Sequence, residues 1–136
     1  MGAQNRRLSP VWTINDSFEN RRLALQAELD ANKTTDERRK LGQFATPTLL
    51  AREVVSFGIN NMDTPHDIRF FDPACGTGAF YSALLAEADS NDITMATAVE
   101  IDPLLASVAY NFWYESNISV INADFTEIEP DGFYNI

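Results

Sequence analysis

The 136 residues carry ten Lys/Arg against twenty Asp/Glu, a net charge of −10, with one His, one Cys and 45% hydrophobic residues. This balance suits one globular domain, or part of one, and excludes a disordered chain; a single cysteine excludes both an intrachain disulfide and a cysteine-rich metal site. No apolar run nears the roughly 18 residues of a membrane span, and Met1 to Arg7 lacks signal-peptide character, so a cytoplasmic protein without a membrane partner is expected.

The charge is uneven along the chain, +3 through Arg52 and −13 from Glu53 onward. The basic clusters Arg6-Arg7, Arg21-Arg22 and Arg38-Arg39-Lys40 are candidate phosphate contacts, although such clusters equally make solvated helix faces. Tight binding to nucleic acid would need further phosphate contacts from outside this chain.

Taken in order, Phe18, Leu25 and Leu29 fall on one face of a helix that should end near Asn32, with Arg22 interrupting the stripe. A short helix is expected after Thr35, where Asp36 and Glu37 suit the positive end of a helix dipole. Thr46 reads as an N-cap, Pro47 as the first helical residue and Gly58 as the stop, which predicts a helix from Pro47 to about Phe57. From Ile68 the pattern becomes βα units. Strands are expected over Ile68–Phe71, Thr94–Val99 and Ile118–Ile121, helices over Ala79–Ala88 and Pro103–Glu115, and a fourth strand beginning at Phe133–Ile136. Such alternation implies a parallel sheet with a ligand beyond the carboxyl ends of its strands.

The strongest chemical signal is the run from Phe71 to Phe80, Phe-Asp-Pro-Ala-Cys-Gly-Thr-Gly-Ala-Phe, set between a strand and a helix. Gly76 and Gly78 remove side chains where a ligand would approach the backbone. A dinucleotide fingerprint would place Gly or Ala at position 81, which is Tyr81, and Asp72 would repel a pyrophosphate while welcoming a cationic amine. S-adenosylmethionine carries such an amine. Glu100, ending the second strand, could accept both ribose hydroxyls of a nucleoside, and by itself this fits NAD as well. Asp124 follows the third strand, placed for an exocyclic amino group, with Phe125 beside it to pack on a ring. Any one of these acids is equally read as a turn residue or helix cap; three in register with the glycine turn point to a nucleoside-bearing amine.

These motifs resemble those of the adenine-specific DNA methyltransferases of restriction-modification systems. The run Gly42-Gln43-Phe44-Ala45-Thr46-Pro47 is similar to the motif that family carries before its first strand, Asp72 to Phe80 to its first cofactor motif, Glu100-Ile101-Asp102-Pro103 to the second, and Asp124-Phe125 to the third. The resemblance covers about Lys40 to Ile136. It implies a Rossmann-like class I methyltransferase fold (α/β, a parallel sheet core truncated after the third strand), with an N-terminal helical arm over residues 1–40 and a partial methyltransferase domain over 41–136. It further implies that Thr46 meets the methionine carboxylate, Asp72, Ala74 and Gly76 line the amino-acid end, Glu100 holds the ribose, Ile101 packs on adenine, and Asp124 and Phe125 contact the base.

The expected function is thus the S-adenosylmethionine-binding part of an adenine-N6 methyltransferase, with duplex DNA as the substrate of the whole enzyme. Its partners would be the missing C-terminal half, a restriction subunit or a second copy. The family's catalytic run, Asn or Asp followed by Pro-Pro and an aromatic, occurs nowhere in the chain, so no catalytic residue is assigned and this chain alone is expected to be inactive. RNA or protein-glutamine methylation, a non-catalytic S-adenosylmethionine-binding module and a nicotinamide enzyme are the competing readings, the last opposed by Tyr81 and Asp72. Among lesser candidates, Phe112, Trp113 and Tyr114 read as core rather than a stacking platform, Cys75 as a small packed side chain, and His66 as a solvated loop residue. Trp12 finds no place in this scheme.

Overall fold

A computed structural model describes residues 15–136. Arg6, Arg7 and Trp12 lie outside the described residues. Among the described residues, five α-helices and three strands follow in the order α1 (Asn15–Ala31), α2 (Thr35–Leu41), α3 (Thr48–Asn60), β1 (Ile68–Asp72), α4 (Ala79–Glu87), β2 (Ile93–Glu100), α5 (Pro103–Phe112) and β3 (Ser119–Asn122). Among the described residues no helix is long and apolar enough to cross a membrane.

The strands form an open parallel sheet in the order β1-β2-β3, an α/β arrangement compatible with a Rossmann-like core. Asp72 lies opposite Ala98, and Glu100 opposite Asn122, so the carboxyl ends of the strands align. Phe133–Ile136 is not a strand, yet it meets the outer edge of β1: the Phe71 amide donates to the Ile136 carbonyl at 2.9 Å, and the Asn135 amide to the Arg69 carbonyl at 2.9 Å. The expected fourth strand is therefore represented by its pairing contacts alone, on the side of β1 away from β2.

The core joins Ile68 and Phe70 of β1, Ala96 and Ala98 of β2, and Tyr81 and Leu84 of α4 with Ala51 and Val55 of α3. Trp113, just past α5, is 2% exposed, with Phe18 of α1 stacked on it and Tyr81 edge-on. The aromatic cluster thus divides: Trp113 is core, Phe112 is half-buried and Tyr114 is exposed.

Three boundary expectations and one of burial are corrected. α3 begins at Thr48 with Pro47 in the cap position and no side-chain cap bond, so Thr46 does not cap it. It also runs through Gly58 to Asn60; a Cβ at Gly58 would lie 2.7 Å from Ile136 Cδ1, so the glycine makes room for the C-terminal segment rather than stopping the helix. α5 ends at Phe112, three residues early, where Trp113 turns inward. In α1, Phe18, Leu25 and Leu29 are only half-buried, and the residue that sinks fully is Arg22, at 1% exposure.

Candidate functional site

The turn after β1 is built to expose backbone. Gly76 has φ 54° and open space where a Cβ would stand, so the main chain there faces a cavity unobstructed. Gly78, at φ 91°, serves a different purpose: a Cβ on it would run into the Trp113 indole, which donates from Nε1 to the Thr77 carbonyl at 3.0 Å. Close packing of α4 against Trp113, not ligand approach, is what requires glycine at that position.

Around Gly76 lies a cavity of about 160 Å³. Its wall brings together Gly42 to Thr46, Ala74 to Thr77, and Glu100 with Ile101, three segments far apart in sequence. A second cavity of about 380 Å³ adjoins it across Ala74 and Phe80, and Asp72 lines that one. The two cavities, which share Ala74 and Phe80 and each have a carboxylate in the wall, are together the candidate trough at the carboxyl ends of β1 and β2. Thr46, Ala74, Gly76, Glu100 and Ile101 line the first half and Asp72 the second, whereas Gly78, Asp124 and Phe125 line neither. Asp124 caps a 3-10 turn over Phe125–Glu127, accepting from Thr126 N at 3.0 Å and Thr126 Oγ1 at 2.7 Å, bonds that hold its carboxyl below the usual range. Phe125 stays 49% exposed.

Glu100 is 6% exposed and both its oxygens are engaged: Oε2 accepts from the Gly76 amide and Oε1 from the Asp102 amide, each at 2.9 Å. It ties the glycine turn to the end of β2 and keeps one lone pair on each oxygen for a ligand hydroxyl. Asp72 is less satisfied. Oδ1 accepts from the Ala74 amide at 3.1 Å, while Oδ2 is buried with no hydrogen-bond partner among the described residues. Burial, opposed by the Ala74 bond and reinforced by the charge of Glu100, holds its carboxyl above the ordinary value. A cation placed there would relieve both the orphaned oxygen and the repulsion between the two acids.

Two polar networks were hidden in the sequence. Gln43 donates to Asp102 Oδ2 at 2.6 Å and accepts from Lys33 Nζ at 2.6 Å, which fastens the Gly42–Thr46 segment to the cap of α5. The second radiates from Glu19. Arg22 meets its two oxygens at 2.8 and 2.6 Å, Thr48 donates at 2.6 Å and Ser82 at 2.5 Å. Arg22 Nη1 then reaches the Thr77 hydroxyl, at 2.9 Å, inside the glycine turn. The sole available signal was Arg22 itself, a charge breaking an apolar stripe.

Among the described residues, most cations of the basic clusters have a partner nearby. Arg22 is buried on Glu19, Arg38 and Arg39 lie near Asp30 and Asp36, and Arg21 sits over the rings of Phe18 and Phe112. His66 is exposed beside Asp92. Cys75 is buried, and desolvation with the charges of Asp72 and Glu100 pushes its thiol up to about 12, so it stays protonated and unreactive at neutral pH. No family model matches the chain.

Proposed function

We propose that the trough binds S-adenosylmethionine, and that this chain is the cofactor-binding part of a DNA adenine-N6 methyltransferase. The observation that carries the reading is the buried Asp72 Oδ2, without a hydrogen-bond partner among the described residues, in one half of a trough whose other half holds Glu100. An elongated ligand with an amine at one end and a ribose at the other satisfies both.

In this reading Asp72 accepts from the amine, Thr46 meets the carboxylate, and Ala74 and Gly76 present backbone along the amino-acid chain. Glu100 accepts from the ribose hydroxyls with its remaining lone pairs, and Ile101, 64% exposed at the rim, covers the adenine. When bound, the sulfonium supplies an already activated methyl group, so the chain's task is to hold and orient it. The substrate assignment to DNA adenine rests on the resemblance of Gly42–Pro47, a segment fastened over the trough through Gln43 and Asp102.

Calorimetric titration with S-adenosylhomocysteine and, separately, with NAD tests the reading. Saturable one-to-one binding of the former with none of the latter is expected; absence of binding, or preference for NAD, refutes it.

A further inference from the structure

Thr77 lies between two glycines held at positive φ, so the path of the turn depends on what fixes Thr77 itself. It is gripped from two sides. Trp113 donates to its carbonyl, while Arg22 donates to its hydroxyl at 2.9 Å and that hydroxyl donates onward to Gln26 Oε1 at 2.9 Å. Arg22 and Thr77 are 1% and 2% exposed.

Burying a guanidinium is costly unless it is paired, and an apolar residue of similar volume would fasten α1 against α4 at least as well. What the ion pair adds is placement: a planar fork held by Glu19 on one edge fixes the direction in which Nη1 donates. That direction is the Thr77 hydroxyl. Arg22 and Gln26 line the same cavity as Gly76, Thr46 and Glu100.

We propose that Arg22 and Gln26 of α1 are positioning residues for the cofactor turn, acting through the Thr77 hydroxyl to hold the Gly76 backbone where it closes on the ligand. α1 is then part of the binding site. The inference rests on the S-adenosylmethionine reading of the trough.

The test uses the full chain and four variants. Thr77→Val and Gln26→Leu break the grip at nearly constant volume, and Arg22→Lys keeps the charge without the fork. Ser82→Ala removes a different bond to Glu19 and leaves Thr77 untouched. S-adenosylhomocysteine affinity, melting temperature and amide hydrogen exchange at Gly76 are measured for each. The first three should bind about fivefold or more weakly and exchange faster at Gly76, as loss of one buried hydrogen bond implies. Ser82→Ala should melt earlier with neither change.

Affinity and exchange in Thr77→Val equal to those of the wild type overturn the proposal, whatever the melting temperature does. Gln26 is only half-buried, so Gln26→Leu decides the matter should Thr77→Val fail to fold. If the wild type binds no S-adenosylhomocysteine, the cofactor reading fails on its own, and exchange judges the grip: rates at Gly76 no faster in Gln26→Leu than in Ser82→Ala overturn it.

Discussion

Truncating Glu100 to alanine removes an acceptor that serves the protein and the proposed ligand together. The amides of Gly76 and Asp102 lose their partner, and the ribose hydroxyls lose theirs. Glu100→Ala should therefore weaken S-adenosylhomocysteine binding by about tenfold or more, the worth of charge-assisted hydrogen bonds. Glu100→Gln, which keeps one acceptor oxygen, should fall between the two; calorimetry that finds all three alike excludes Glu100 from the ligand. Asp72 makes a pH prediction. Its folded pKa lies above the unfolded one, so its protonated form contributes stability that is full below the unfolded pKa and lost as pH rises through the folded value. Relative to Asp72→Asn, the wild type should thus lose stability as pH rises from the ordinary carboxylate range through the raised folded value, read as urea midpoints at each pH. A bound amine should reverse that trend. The positions of Asp72 and Glu100 at strand ends were legible because strand, turn and helix follow one another locally. The role of Gly78 was not, since the indole it accommodates lies 35 residues away at Trp113.

Among the elements, those with local causes were foreseen closely. β1, α4 and the start of α5 follow from apolar runs, the glycine turn and Pro103, and Asp102 completes the α5 start by accepting from Leu104 and Leu105 amides. α3 was misjudged at both ends because Thr46-Pro47 and Gly58 carry cap-like chemistry whose use is decided by tertiary contacts. A consequence is that Thr46→Ala should change stability by less than about 0.5 kcal/mol, as for a side chain without a cap bond. Its effect should appear in cofactor affinity alone, and a lowered melting temperature with unchanged affinity would reverse the assignment. Glu19 behaves oppositely. Burial raises its pKa, but the bonds from Arg22, Ser82 and Thr48 outweigh that and bring it below the ordinary value. Its contribution is present above the unfolded pKa and lost as pH falls through the folded one. Acid unfolding should accordingly be shallower in Glu19→Gln, which starts less stable at neutral pH because α1, α3 and α4 all bond to this carboxylate.

For the whole molecule, alternation of strands and helices made the parallel sheet legible, while the pairing of most described cations with carboxylates was invisible, because which acid faces which base is set by packing. Of the Lys and Arg among the described residues, Arg22, Lys33, Arg38, Arg39, Arg52 and Arg69 each lie within ion-pair distance of a carboxylate. A net charge of −10 then leaves little to attract a polyanion. The proposed division of labour gives a sharp expectation: these 136 residues bind the cofactor but transfer no methyl group to DNA. Two separate reasons lead to it. The sequence holds no Asn/Asp-Pro-Pro-aromatic run to accept hydrogen bonds from a target amino group and stack a flipped base. Among the described residues, in turn, six of the eight Lys and Arg lie beside a carboxylate, which leaves little positive charge to keep a duplex at the trough. Incubation with tritiated S-adenosylmethionine and unmethylated duplex DNA measures the first, and fluorescence anisotropy with labelled duplex at low salt measures the second. Incorporation above a no-protein control would show that chemistry is supplied by other residues of the trough and would end the division proposed here. Tight, salt-sensitive DNA binding without incorporation would leave the catalytic argument standing and remove the electrostatic one, pointing to Arg6, Arg7 and Lys40 as the phosphate contacts to mutate next.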